Sequence, residues 1–447
     1  MGLQNVTDTY QAEELKDGPA YPPIHALEPP VQLTDPSVFS SNGGYTFDAF
    51  SEMRTKAPVM WHPEEFGAGF WAVSSYDLVK QVELDPATYS SQKGGILISY
   101  GLPDMPRHPL LHSASLNTLI CLDRPHHTAL RMEHMAYFRA NFVAELRKKV
   151  DGFVKERLDA MEAAGPVVDM VEMFSAELPL FTLCEILGVP EADRPKLVHW
   201  MHFLENAQYQ AQQEGLGNLQ PEQIMAFMSE IQAMFEYGRE LLQARRKEPR
   251  EDLLSAIANV EIDGKPLSPE FLDGSWLLII FAGNDTTRNS LTGTMKLITQ
   301  FPEVRERLKA DPDLFPNFVH EAIRMVSPVT YMRRTVTQET ELGGQTLAAG
   351  EKVVMYYPAA NRDSSKFADP DTFLIDRENA KEHLAFGLGP HVCLGQKVAN
   401  MQLDAAYRQI LGRFPNVAWT KTEGEMLLRI LPVDQKRVRI GELGRIA

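Results

Sequence analysis

Cys393 lies in the run Phe386-Gly387-Leu388-Gly389-Pro390-His391-Val392-Cys393-Leu394-Gly395. A lone cysteine is most often a small buried hydrophobe. Three features of this run point to chemistry instead. Two glycines let the backbone turn sharply and approach a flat ligand closely. Cys393 falls just before a helical pattern running from Leu394 to about Leu411, where free N–H groups and the helix dipole favour a thiolate. Gly395 leaves room beside the sulfur.

A second block stands in the middle of an apolar helical stretch, Trp276 to Ile298. It reads Ala282-Gly283-Asn284-Asp285-Thr286-Thr287-Arg288-Asn289. An acid and a hydroxyl are costly there unless they are used. Side by side they could relay protons from solvent. The competing reading is a helix whose threonines bond back to the preceding turn. A membrane span would not tolerate this polar block, so the stretch reads as a buried helix lining a polar cavity. Gly283 is expected to thin that helix beside the cavity.

Charged pairs come next. Glu321 and Arg324 are three apart on one helix face. His127 and Arg131 are four apart and together suit an anion. Arg333 and Arg334 are adjacent candidates on a strand. His108 and His112 have metal-like spacing but no third ligand nearby in sequence, and they read as ordinary loop histidines.

The elements that must position these residues are mostly helical. Helical periodicity runs from Asp123 to about Ile298, including 142–161 and 224–247, and again over 302–326. Runs at 59–62 and 69–73 predict a hairpin, and 76–82 a helix. Period-two patterns over 341–347 and 352–356 predict strands. Residues 88–118, with three glycines and three prolines, read as a long functional loop. Residues 1–35 read as an irregular, proline-rich leader, and 36–447 as one domain.

The chain has 447 residues and a formal net charge of -16, which argues against nucleic acid and anionic membrane as partners. Cys121, Cys184 and Cys393 are sparse and form no CxxC pair, as expected in a reducing compartment. No apolar core follows Met1, so a cytoplasmic location is expected.

Taken together, the motifs resemble those of the cytochrome P-450 superfamily over about residues 45–440. The cysteine loop resembles its F-G-x-G-x-H-x-C-x-G signature at every fixed position. Residues 282–287 resemble A-G-x-D/E-T-T, and Glu321 to Arg324 resembles E-x-x-R. The stretch Asp123-Arg124-Pro125-His126-His127-Thr128-Ala129-Leu130-Arg131 resembles D-P-P-x-H-T-x-x-R, with Arg124 replacing the first proline. The C-terminal third is most similar to bacterial alkane hydroxylases, on residues 283–290, 331–334, 341–346 and 375–377. The helix motif is shared with bacterial sterol hydroxylases.

The resemblance implies a mainly α fold with a small β part, a triangular prism. Haem b would lie between the central helix and the helix after the cysteine loop. It implies Cys393 as the iron ligand, Thr286 as the proton-delivering alcohol and Asp285 as the acid. His127, Arg131, Arg334 and His391 would hold the haem propionates, with Ala282, Gly283, Thr287, Phe386, Gly387, Leu394 and Gly395 also against the cofactor. Glu321 and Arg324 would be structural, bonded to the stretch from Ala360 to Phe373.

The expected reaction is a monooxygenation with O2, on a small hydrophobic substrate such as an alkane, terpenoid or alkylarene. Its pocket is expected from Ile96, Leu97, Ile98, Ile280, Phe281, Val329, Thr330, Ile430 and Leu431. A sterol or fatty-acid hydroxylase, a peroxygenase and a haem-based sensor are the alternatives. No flavin or nicotinamide motif follows Cys393, so electrons are expected from a separate ferredoxin and its reductase. Arg139, Lys397 and Arg408 are its candidate contacts on a monomeric enzyme.

Overall fold

The computed structural model describes residues 33, 47–63, 69–92, 109–201, 203, 221–262, 264–419 and 437–439. Helices dominate. In chain order they are α1 (Phe47–Lys56), α2 (Tyr76–Leu84), α3 (Pro109–Leu116), α4 (His126–His134), α5 (Ala140–Ala164), α6 (Glu177–Leu187) and α7 (Pro221–Lys247). Then come α8 (Leu253–Asn259), α9 (Pro269–Gln300), α10 (Glu303–Ala310), α11 (Phe315–Val326), the single turn α12 (Tyr357–Ala360) and α13 (Gln396–Arg413). Among the described residues, no helix is long and apolar enough to cross a membrane.

Helix α9 is the axis of the molecule. Ser268 caps it by accepting from Phe271 N, and Pro269 occupies the first turn, where its missing N–H costs nothing. At 32 residues it packs against α3, α6, α7, α11 and α13. Phe271, Trp276, Ile280, Leu291, Met295 and Ile298 bury into the main core with Leu183, Phe318 and Tyr407. Close approach has a price in side chains: a Cβ on Gly274 would lie 1.8 Å from the carbonyl oxygen of Asn117, so only glycine fits.

The main sheet orders its strands β1 (Val59–His62), β2 (Phe70–Val73), β10 (Lys352–Tyr356), β7 (Tyr331–Val336) and β3 (Tyr89–Ser90), while β4 (Val167–Asp169), β5 (Glu261–Ile262) and β6 (Lys265–Pro266) belong to smaller sheets. β2 and β10 run parallel; the other neighbours are antiparallel. β10 is buried on both faces, and its alternation divides two cores. Val353 and Met355 face one with Trp71 and Val73; Val354 and Tyr356 face the other with Phe70 and Ala72. The register pairs Val353 with Arg334, which fixes where that arginine emerges.

Several boundaries differ from the sequence pattern. The run 341–347 is a hairpin, β8 (Thr340–Leu342) and β9 (Gln345–Leu347), because Gly343 and Gly344 both take positive φ. The block 302–326 is two helices, α10 and α11, parted by a single turn at Pro312–Leu314. The expected loop over 88–118 holds β3 at one end and α3 at the other; 93–108 lie outside the described residues. So do residues 1–32, which include nearly all of the expected leader.

Glu321 and Arg324 are both 0% exposed and lock the C-terminal half together. Arg324 donates to both Glu321 oxygens at 2.7 and 2.8 Å, and to the carbonyls of Asn361 and Pro370. Glu321 Oε1 also accepts from Arg377 Nε at 2.9 Å and from Leu374 N at 3.1 Å. The sequence marked the Glu–Arg pair but not Arg377 as its third member. Removing one partner leaves buried charge without compensation. Glu321→Ala should therefore lower stability by about 3–5 kcal/mol in chemical denaturation; a loss below about 1 kcal/mol would assign the pair no structural role.

Candidate active site around Cys393

The cysteine loop is closed by backbone bonds. Gly387 N donates to Leu384 O at 2.8 Å, and Cys393 N donates to Phe386 O at 2.8 Å. Gly387 and Gly389 both take positive φ, +66° and +69°. A Cβ on Gly389 would lie 2.8 Å from the Glu83 carbonyl oxygen, so the loop rests directly on the end of α2. Helix α13 begins at Gln396, two residues later than the pattern suggested, because Leu394 and Gly395 still belong to the turn.

Cys393 is ringed by protein, yet it remains accessible. Burial pushes its thiol up, while the N–H of Gly395, the Arg131 guanidinium and the N–H of Gln396 pull the other way. Gly395 leaves the sulfur free on one side, its nearest neighbour there being Sγ itself at 3.9 Å from an ideal Cβ.

Positive charge gathers beside this loop. His127 and His391 stack with ring centroids 4.1 Å apart. Arg131 Nη2 donates to Val392 O at 2.6 Å, tying α4 to the loop. Burial, helped by Arg131, Arg124 and Arg334, pushes His127 down to about 4. Burial with Arg334, His127, Arg131 and Arg124 pushes His391 down to about 2. Both imidazoles are neutral at pH 7, so the fixed charge there is carried by the arginines. His391 Nε2 lies 3.2 Å from Ser91 Oγ, and His127 Nδ1 is buried without a hydrogen-bond partner. Of the two strand arginines, Arg334 is the one that acts electrostatically on both histidines.

Helix α9 changes character in its middle. Phe281 and Ala282 are exposed, and Leu278, Ile279, Gly283, Asp285 and Thr286 are partly so, although residues 271–277 and 287–292 are buried. Thr286 Oγ1 donates to Ala282 O at 2.9 Å. Asp285 pairs with Arg288 at 3.1 Å and accepts from Asn284 Nδ2 at 3.4 Å. Thr287 is buried.

Two sequence expectations need correction. Gly283 thins α9 on its side towards α6: an added Cβ would meet Leu183 Cδ1 at 3.2 Å, so its smallness serves helix packing. Ile280 is 1% exposed in the main core and does not open to the accessible stretch, whereas its neighbour Phe281 does. Val329 is partly buried and Thr330 buried at the start of β7. Ile96, Leu97, Ile98, Ile430, Leu431 and His108 lie outside the described residues. Glu83, which bonds Arg334, could not be found from sequence spacing, because the two are 251 residues apart.

The Cytochrome P450 family model matches residues 218–428. The chain is 33% identical to the methyl-branched lipid omega-hydroxylase of Mycobacterium tuberculosis, over 86% of this chain and 88% of that protein. The chain belongs to the cytochrome P450 family. It is also 32% identical to linalool 8-monooxygenase of Pseudomonas putida, over 80% of this chain and 86% of that one. Among solved structures, cytochrome P450 CYP268A2 of Mycobacterium marinum in complex with pseudoionone matches with a TM-score of 0.77 and 31% identity, covering 86% of this chain and 92% of that one.

This P450 is a monooxygenase, and its family implies a haem-iron cofactor. The residues around Cys393 fit that group. They offer an accessible sulfur with two N–H groups aimed at it, arginine charge for carboxylates, and a buried, unpartnered His127 Nδ1. Gly389→Ala would force a side chain into positive φ and against the Glu83 carbonyl. The variant should lose roughly 2 kcal/mol or more of stability and hold less haem per chain, read by thermal unfolding and the haem-to-protein absorbance ratio. Native values for both would show that the loop has room to spare.

Proposed function

We propose that this P450 hydroxylates a hydrophobic, chain-like small molecule of the alkane, terpenoid or alkylarene type. The balance is RH + O2 + two electrons + two protons giving ROH + H2O. The observation that carries the reading is the accessible middle of α9, where Leu278, Ile279, Phe281 and Ala282 stand beside Asp285 and Thr286. Apolar lining selects substrate by burial, at about 25 cal/mol per Å². A methyl-branched lipid, linalool and pseudoionone in the names of similar proteins support the same class.

Haem b, held through Cys393 Sγ, would supply the redox chemistry that activates O2, one of whose oxygen atoms enters the C–H bond. The chain does the rest. The N–H groups of Gly395 and Gln396 stabilise charge on the sulfur. His127, Arg131, Arg334 and His391 would take the haem carboxylates, and Phe386, Gly387, Leu394 and Gly395 of the cysteine loop, with Ala282 and Thr287 of α9, would hold the rest of the group. Thr286 Oγ1 donates to Ala282 O, which leaves its lone pairs free to accept a hydrogen bond from water; its O–H serves proton delivery when it turns from that carbonyl towards the site. Asp285, steadied by Arg288 and Asn284, brings protons from solvent.

Electrons come from a ferredoxin reduced by a flavoprotein. Of three candidate contacts, Arg408 is engaged by Asp404 at 2.8 Å and by the Phe315 ring. Arg139 and Lys397 are exposed, which supports them as the docking charges on an acidic enzyme.

Cys393→Ala should abolish the thiolate-type Soret band of the reduced carbon monoxide complex; survival of that band would remove Cys393 as the ligand. Thr286→Ala should keep consuming reductant while product per electron pair falls roughly tenfold or more and hydrogen peroxide rises. Full coupling in that variant would take proton delivery away from Thr286.

A further inference from the structure

Glu83 is an unusual residue for its place. It stands in the last turn of α2, where the helix dipole disfavours an anion, and it is 3% exposed. A carboxylate buried there is costly unless well paired. It is paired on both oxygens: Oε2 accepts from Arg334 Nη2 at 3.0 Å, and Oε1 accepts a short bond from the Tyr357 hydroxyl. Tyr357 is buried, and burial followed by the charge of Glu83 pushes its hydroxyl far up, so it remains the donor. The same carboxylate oxygen would lie 3.4 Å from a Cβ on Gly387, and the Glu83 carbonyl abuts Gly389. One residue thus stands against the strand arginine, the turn at Tyr357 and two glycines of the cysteine loop, Gly387 and Gly389.

Arg334 is held from two sides, by Glu83 and by its Nη1 bond to Arg333 O at 2.8 Å. A guanidinium pinned this way presents a fixed direction to an anion. On the site side Arg334 acts on His127 and His391, and the other charged groups acting on that pair, Arg131 and Arg124, are cationic. Glu83 is therefore the carboxylate that bonds Arg334 directly and offsets part of its charge.

We infer that Glu83 is a positioning residue: through Arg334 and the Gly387–Gly389 turn it sets how tightly the haem is held and at what potential it is reduced. This rests on the reading that Arg334 takes a haem carboxylate. Supporting partners one shell away from a bound group typically matter by about tenfold or more. Loss of a nearby negative charge favours the reduced, less positive iron.

The test uses the holoenzyme. Haem transfer to excess apomyoglobin and the midpoint potential are measured for the native protein, Glu83→Gln, Tyr357→Phe and Arg334→Ala. Glu83→Gln should transfer haem about tenfold faster and shift the potential to more positive values. Tyr357→Phe, which loosens the carboxylate without removing it, should speed transfer to a smaller extent. A Glu83→Gln holoenzyme with native transfer rate and native potential would overturn the inference. If Glu83→Gln does not accumulate as holoprotein, Tyr357→Phe decides, and a native transfer rate in it would overturn the inference equally. Arg334→Ala separates the levels. If it speeds transfer while the other two variants do not, only the role of Glu83 falls. If it leaves haem retention untouched, the carboxylate reading falls and this inference with it.

Discussion

Arginine charge crowded beside one loop is the constraint on which the rest of the structure depends. Arg124, Arg131 and Arg334 act together on His127 and His391. Like charges brought together in a partly desolvated place repel. Arg124 is exposed, and the other two stay because each is fixed by a different part of the fold. Arg131 rides on α4 and is anchored to Val392 O; Arg334 rides on β7 and is anchored to Glu83. The histidines relieve the crowding by remaining neutral, which burial already imposes. The resulting place favours an anion before any anion arrives.

The second requirement is a helix that is buried at both ends and open in the middle. α9 meets it in part by turning hydroxyls back on its own carbonyls. Thr286, Ser290, Thr292 and Thr294 each donate to the carbonyl four residues earlier. Buried hydroxyls held this way carry no unmet donor. Asp285 and Arg288 balance each other on the same helix, so the acid needs no distant partner to be tolerated. Polarity is thereby placed beside apolar surface without unravelling the core helix.

What was legible in the sequence was what is local. The cysteine loop is ten consecutive residues, and its glycines, histidine and cysteine act where they stand. The Glu321–Arg324 pair is legible because three residues make one helical turn. Arg377 and Glu83 were not, since their partners come from other elements. A carboxylate on α2 and an arginine on β7 meet only through the sheet register. Helix rotation was also hidden. Ile280 and Phe281 are adjacent and equally apolar, yet about 100° of helical turn sends one into the core and leaves the other accessible. Gly283 looked like room for a ligand and is room for Leu183, because a missing side chain does not say which neighbour needs the space.

The residues proposed to hold the cofactor sit on regular elements or on a loop closed by its own backbone bonds: α4, β7, α9 and the turn before α13. Such elements are fixed by packing, and their geometry survives wide change in sequence. Substrate choice in such a fold falls to the loops above the rigid frame. The chain matches a lipid hydroxylase and a linalool monooxygenase almost equally, at 33% and 32% identity. That is the pattern expected when one frame carries the chemistry and a separate, variable surface carries the specificity. The frame's demands are electrostatic and exacting; those of the proposed pocket are apolar and loose. Apolar contact rejects a misfit substrate by only about 1–3 kcal/mol per methylene. On the proposed reading, apolar positions such as Phe281 and Val329 are therefore free to vary with the substrate, whereas the charged cluster leaves little room for change.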